Sequence, residues 1–223
     1  MESNAKPIMS LSETYTDLEV IDRIRNGEKA LYEIIVRRYN SQLYKVGRSY
    51  NYDHDDTQDL MQDTYIDAYR GLSQFEGRSS FKTWIIRIMM NNCYRKKQKS
   101  SFKSEIMQDA SEQSTPMFGN YNNSTDKVVH NRELGKVIER ALEKIPLDYR
   151  IVFSLREANG LNVMETANLL DISESNVKVR LNRAKSMLRS VIEKEYTAAE
   201  LYEFNLVYCD AMVERVMNII KEL

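Results

Sequence analysis

Apolar residues recur at three- and four-residue steps along most of the chain, the period of an amphipathic helix rather than the alternation of a strand. Leu18, Ile21 and Ile24 mark a first helix, and Leu31, Ile34 and Ile35 open a second, with Gly27 as the break between them. Asn51 to Asp53 ends that longer helix. Leu60, Thr64, Ala68 and Leu72 carry the pattern on to a break bounded by Gly71 and Gly77. Phe81, Trp84, Ile85, Ile88 and Met89 then form the stripe of a helix that starts near Ser79 or Ser80, both suitable N-caps. Trp84 lies inside this stripe, so it is expected in the core rather than as an exposed stacking platform.

Residues 100–127 break the pattern: Ser, Gln, Asn and Thr dominate and aliphatic residues are few. Periodicity returns at Leu134, Val137, Ile138, Ala141 and Leu142, and Pro146 suits the first turn of the following helix. The expected fold class is all-α. Two small helical domains, 15–103 and 132–194, are expected on a flexible linker over 104–131, after a loose polar stretch over 1–14. A tail over 195–223 places Leu201, Phe204, Tyr208, Met212, Val216 and Ile219 on one helical face, which needs a cover. Capping the second domain and restraining its DNA contacts are both open roles for it.

Composition agrees, because three prolines and seven glycines are too few turn residues for a strand protein of 223 residues. No apolar run is long enough to span a bilayer, and the N-terminus has no signal-peptide pattern, so no membrane insertion is expected. Cys93 and Cys209 stand apart from each other and from any His at ligand spacing. Unpaired thiols suit a reducing cytoplasm, and neither a metal nor a cofactor is expected.

The net charge of −1 conceals a sorting of charge along the chain. Tyr52 to Tyr69 holds six aspartates and no Lys or Arg; Gly77 to Ser104 holds eight basic residues and no acid. Lys178 to Arg189 adds five more basic residues, again without an acid. One acidic and two basic surfaces suit one protein partner and two polyanion contacts, although solvated helix faces would look the same block by block.

Asn162 to Leu188 has the form of a helix-turn-helix. Asn162 and Glu165 make a capped start after Gly160, Asp171 to Ser173 the turn, and a second helix begins near Ser173 or Glu174. At about 100° per residue, Val177, Leu181, Ala184 and Leu188 fall on one stripe. Asn176, Arg180 and Arg183 gather on one flank, and Lys178 and Lys185 on the other. Packed by its stripe, such a helix can offer Arg to guanine and Asn to adenine, while its lysines hold phosphates. A plain helical hairpin with a basic face is the competing reading.

Asp55 to Arg70, running into Phe75 to Lys97, resembles the promoter-melting domain of extracytoplasmic-function (ECF) sigma factors. Ala141 to Arg150 and the helix-turn-helix resemble their second domain, so the resemblance covers roughly 17–192. It implies an alternative sigma factor that binds the bacterial RNA polymerase core, reads two promoter elements and melts the DNA between them. It is not expected to be an enzyme or to take a small-molecule substrate. Asp59, Gln62 and Asp63 share one helix face by i, i+3, i+4 spacing. By the resemblance they would dock on the clamp helices of the largest polymerase subunit, with the flap as a further contact. Ser80, Phe81, Ile88, Asn91 and Asn92 would line a pocket for a flipped base. Arg78, Lys82, Arg87, Arg95, Lys96 and Lys97 would hold the separated strand. Family members are often held by an anti-sigma protein; nothing in the residues identifies one.

Two rivals remain at this point. A polymerase-independent regulator would use the helix-turn-helix alone. A metal-dependent nuclease would use the aspartates, but Asp53, Asp55 and Asp56 lack the glycine and closing Glu of a calcium loop.

Overall fold

The computed structural model describes residues 15–103, 135 and 137–195. The expected N-terminal stretch, the linker and the tail beyond Glu195 lie outside them. Every regular element among the described residues is helical. Helix α1 (Asp17–Arg25) starts with a capping box in which Thr16 and Glu19 satisfy each other's backbone N–H groups. Gly27, at φ +105°, turns the chain into a short 3-10 turn, Lys29–Leu31, and helix α2 (Tyr32–Ser49). Asp53 caps helix α3 (His54–Gly71) by accepting from the Asp56 N–H. Another 3-10 turn, Leu72–Gln74, leads to helix α4 (Phe81–Lys103). Of the two serines expected as caps, Ser80 is the one used: its Oγ accepts from the Thr83 N–H at 3.1 Å.

These four helices enclose the first core. Ile21, Ile34, Ile35, Leu43, Ile85, Ile86 and Met89 are each almost fully buried, which is worth about 1.5–3 kcal/mol per side chain. Trp84 packs as expected of a core residue, with ring centroids 5.2 Å from Phe75 and 5.3 Å from Phe81. The tightest approach is at Gly47, where a Cβ would lie 2.6 Å from Thr57 Cγ2 and 2.9 Å from Met89 Cε. Overpacking costs about 1–3 kcal/mol, more than the ~1 kcal/mol that Ala gains over Gly in a helix. Gly47→Ala is therefore expected to lower the urea midpoint, with a net loss of up to about 2 kcal/mol. An unchanged midpoint would mean that α2, α3 and α4 can part without cost.

The second domain contains α5 (137–143), α6 (Leu147–Phe153), α7 (Val163–Leu170) and α8 (Glu174–Glu195). Pro146 stands at the N-cap of α6, one position before the first turn expected for it. Beyond Phe153 the chain widens into a π-helical turn, Ser154–Ala158, which the apolar periodicity does not announce.

The two domains pack directly on each other. Ile151, Leu155 and Leu161 of the second belong to the same buried cluster as the core of the first. Arg48 of α2 pairs with Glu139 of α5 at 2.6 Å, both side chains less than a tenth exposed, and also donates to the Tyr52 carbonyl at 2.5 Å. Arg150 Nε donates to the Ser49 carbonyl at 2.6 Å, and its Nη1 to the carbonyls of Leu142 and Glu143. One buried guanidinium thus satisfies the carbonyl ends of two helices. Lys45 Nζ donates to the Ala158 carbonyl at 3.2 Å, and burial pulls its ammonium below the ordinary range.

Candidate nucleic-acid interfaces and an acidic docking face

Helix α3 divides cleanly by angle. Thr57, Leu60, Met61, Thr64, Tyr65 and Ala68 face the core, while Gln58, Asp59, Gln62, Asp63 and Ile66 face outward. Asp59, Gln62 and Asp63 are therefore brought together on an exposed surface. Asp56 and Asp67 are used differently. Asp56 pairs with Lys96, and Asp67 pairs with Arg95 at 3.5 Å, so both tie α3 to α4. A groove of about 410 Å³ runs between the helices, with Asp59, Asp63 and Asp67 on one wall and Arg95, Lys96 and Lys99 on the other. Among the described residues, no three His, Cys, Asp or Glu side chains gather as metal ligands would.

Helix α4 buries Phe81, Ile85, Ile86, Met89, Met90 and Cys93, and exposes Arg87, Asn91, Tyr94, Arg95 and Lys97. Burial pushes the Cys93 thiol up to about 12, so it is an inert core group. The residues singled out for a flipped-base pocket do not all face one way. Asn91 is exposed and Ile88 half-buried. Asn92 is buried, and its Nδ2 donates to Thr64 Oγ1 at 3.2 Å and Asp67 Oδ2 at 3.3 Å. Phe81 is 2% exposed and sits against Phe75, Tyr39 and Trp84. Both side chains lie inside the domain, a placement that the linear pattern of polar and aromatic residues does not distinguish from exposure.

Among the basic residues, Arg78 is exposed beside Glu76 at 3.0 Å. Lys82 and Arg87 are engaged by the second domain. Lys82 Nζ donates to the Asn159 carbonyl, and Arg87 Nη2 to the Asn168 carbonyl at 3.1 Å. Between them, Thr83 Oγ1 donates to Glu165 Oε1 at 3.1 Å. The start of α4 is thus covered by the start and end of α7.

The helix-turn-helix forms as its caps require. Asn162 Oδ1 accepts from the Glu165 N–H, and Glu165 Oε2 from the Asn162 N–H, both at 2.8 Å. Asp171, at φ +52°, takes the left-handed position that ends α7, and Ser173 Oγ accepts from the Asn176 N–H at the start of α8. Val177 and Ala184 are fully buried, and Leu181 and Leu188 are half-buried on the same stripe.

The outward face of α8 carries Ser175, Val179, Asn182 and Ser186, with Lys178 and Arg183 at its edges. Asn176 and Arg180 lie on a half-buried flank, where Arg180 Nε donates to Asn176 Oδ1 at 3.2 Å and its Nη1 pairs with Asp148 at 3.5 Å. Arg183 Nη1 donates to the Tyr149 hydroxyl at 3.4 Å, and Lys185 pairs with Glu157 at 2.9 Å. Val179 and Asn182 are absent from the residues that charge and side-chain type select. The helical angle does select them: they stand roughly 140–200° from Val177, opposite the buried stripe.

Comparison with known proteins matches the Sigma-70 region 2 family model to residues 35–102 and the Sigma-70, region 4 model to residues 136–188. Together the matches cover more than half of the chain. The ECF RNA polymerase sigma-E factor of Escherichia coli (strain K12) is 26% identical over 188 residues, 82% of this chain and 97% of the relative. The sigma-E factor of Haemophilus influenzae is likewise 26% identical, over 187 residues, 82% of this chain and 98% of the relative. The fold is similar to that of CnrH in complex with the cytosolic domain of CnrY, with a TM-score of 0.56 at 19% identity, covering 81% of this chain and 99% of that one. It is also similar to that of RpoE in complex with the anti-sigma factor NepR from Bartonella quintana. There the TM-score is 0.58 at 21% identity, over 74% of this chain and 98% of that one.

Proposed function

Since the chain belongs to the ECF family of RNA polymerase sigma factors, and is an alternative sigma factor directing promoter recognition in transcription initiation, we propose how its surfaces divide that work. Asp59, Gln62 and Asp63 dock on the clamp helices of the core enzyme's largest subunit, and the second domain meets the flap. Carboxylates there steer and orient the partner more than they add raw affinity. Arg78, Ser80, Lys82, Arg87, Ile88, Asn91, Arg95 and Lys96 form the downstream promoter surface, which Phe81 and Asn92 support from inside. Helix α8 reads the upstream element. Val179 and Asn182 face base edges, Lys178, Arg183 and Lys185 hold phosphates, and Asn176 and Arg180 brace one flank.

On this reading the chain melts DNA by binding energy and performs no chemistry. Extruding a base costs a few kcal/mol, and stacking returns about 1–3 kcal/mol per base. The observation that carries the reading is an exposed acidic face and an exposed basic face on adjacent helices, followed by a helix-turn-helix with an outward reading face. Lys82, Thr83 and Arg87 are held by Asn159 and α7 of the second domain, so this edge has to withdraw before α4 can take the promoter strand. Relatives of similar fold occur with CnrY or the anti-sigma factor NepR, which makes an anti-sigma protein a natural further partner of this chain. The site of action is the cytoplasm, where polymerase and promoters are; no described helix is long and apolar enough to cross a membrane.

The test is co-purification with RNA polymerase core. The intact chain should bind stoichiometrically, and Asp59→Ala/Asp63→Ala should bind about tenfold more weakly, a change of ~1.4 kcal/mol that shrinks as salt rises. A folded intact chain that does not bind core would overturn the assignment of these surfaces. Tight binding of a duplex site without polymerase would favour the free-standing regulator instead.

A further inference from the structure

The apolar stripe of α8 runs further than its described partners do. Val177 and Ala184 are fully buried, and Leu181, Met187 and Leu188 pack half-buried against the clusters made with the preceding helices. At about 100° per residue the same stripe continues through Val191 and Ile192. Both are half-buried, yet neither belongs to a buried cluster of the described residues. An apolar face at the end of a surface helix needs a cover, because apolar area left in water forgoes the stabilisation of burial.

The chain itself supplies a candidate. Residues 196–223 follow directly on Glu195, and their stripe begins with Leu201, Phe204 and Tyr208. Thr197 and Glu200 have the spacing of a capping box, a signal for a new helix start rather than for prolonging α8. A connection this short joins helices that run antiparallel. Turned back along α8, Leu201 comes opposite Ile192, and the two stripes match in length: Met187 to Ile192 covers about 8 Å of helix axis, Leu201 to Tyr208 about 10 Å. Charge agrees. From Arg183 to Lys194 α8 carries four basic residues and one acid, whereas Glu200, Glu203, Asp210 and Glu214 of the tail are set against Arg215 alone up to Val216. Such complementarity orients two surfaces as they meet.

We propose that Leu201, Phe204 and Tyr208 of the C-terminal tail dock, as an antiparallel helix, on Met187, Val191 and Ile192 of α8. Val179 and Asn182 stand on the opposite side of α8 and about two to three turns nearer its start, so the docked segment leaves the reading face open. Of the two roles open to the tail, it fills that of cover and not that of restraint.

The experiment uses the full chain. Hydrogen exchange read by mass spectrometry should find the amides of 201–208 protected. Val191→Asp/Ile192→Asp should speed their exchange by about tenfold or more and leave α6 and α7 unchanged. Leu201→Asp/Phe204→Asp, which leaves α8 unaltered, should do the same and keeps the test decisive if the first variant misfolds. A thiol pair then checks the geometry. In a Cys209→Ser background, where Cys93 is buried, Ile192→Cys/Leu201→Cys should form a disulfide within one chain about tenfold faster than Ile192→Cys/Glu203→Cys, whose second position lies on the far side of the tail helix. Equal rates for the two pairs would overturn the docking. Free exchange of 201–208 in the unaltered chain would also overturn it and leave the stripe to a separate partner protein. Protection that survives both aspartate variants would overturn it in favour of another segment as the cover. A disulfide that joins two chains would overturn it in favour of a second copy.

Discussion

In an Arg48→Ala variant the two domains should separate while each stays folded. Arg48 and Glu139 form an ion pair that water barely reaches, and Arg48 also satisfies the Tyr52 carbonyl. Removing one partner of a buried pair costs about 3–5 kcal/mol. Glu139 belongs to α5 and Arg48 to α2, so the carboxylate can regain water if the second domain lifts from the first. Lifting exposes Ile151, Leu155 and Leu161, which the two domains share, and leaves the rest of each core closed. The cost therefore falls on domain contact, and small-angle scattering should report a larger radius of gyration with unchanged helical content.

A double variant, Arg48→Met/Glu139→Leu, removes both charges and keeps the apolar bulk. It should stay closed, because apolar replacement of a buried pair is often neutral or stabilising. An Arg48→Ala chain as compact as the unaltered one would show that Ile151, Leu155 and Leu161 hold the domains together unaided. Once open, Lys82 and Arg87 lose their carbonyl partners on the second domain and become available to phosphate.

The second large effect is expected on the reading face of α8. Asn182→Ala with Val179→Ser should relax the choice of base at two upstream positions, by about 1–3 kcal/mol each and in roughly additive fashion. Asn can pair in bidentate fashion with adenine, and an apolar side chain can meet a thymine methyl. Non-specific affinity should barely move, since phosphate contacts supply it. Lys178→Ala is the counterpart: weaker binding to every sequence, and a salt slope reduced by about 0.9 for the one phosphate lost. Selection from a randomised upstream element at two salt concentrations separates the two outcomes. If Arg180→Ala relaxed specificity and Asn182→Ala did not, the helix would lie on its flank in the groove.

Polarity alone misleads in two directions here. Arg48, Glu139 and Arg150 read as ordinary charges on helix faces, yet all three are buried where the domains meet. Asn92 is polar and next to the exposed Asn91, yet it faces inward and bonds Thr64 and Asp67. In the other direction, Val179 reads as a core residue by type but stands 47% exposed on the reading face. In each case the side-chain type predicts a typical environment, and the packing partner decides the actual one.

The helices, their caps, the helix-turn-helix and the sorting of acidic from basic faces follow from the order of residues alone. These are local properties: a 3.6-residue period and a cap within four residues are settled by neighbours in the chain. Asp59, Gln62 and Asp63 were legible for the same reason, since i, i+3, i+4 spacing puts them on one face whatever surrounds the helix. What covers each face depends instead on how distant segments pack. The expectation of two domains on a tether carried no sign that Leu155 and Leu161 would complete the first core, that Arg48 would meet Glu139 across 91 positions, or that Asn159 would hold Lys82 and α7 would hold Arg87. Such contacts join residues far apart in sequence, so no local pattern encodes them. Period fixes the angle of a side chain about its own helix, and only the packing of one helix on another determines whether that angle points at protein or at solvent.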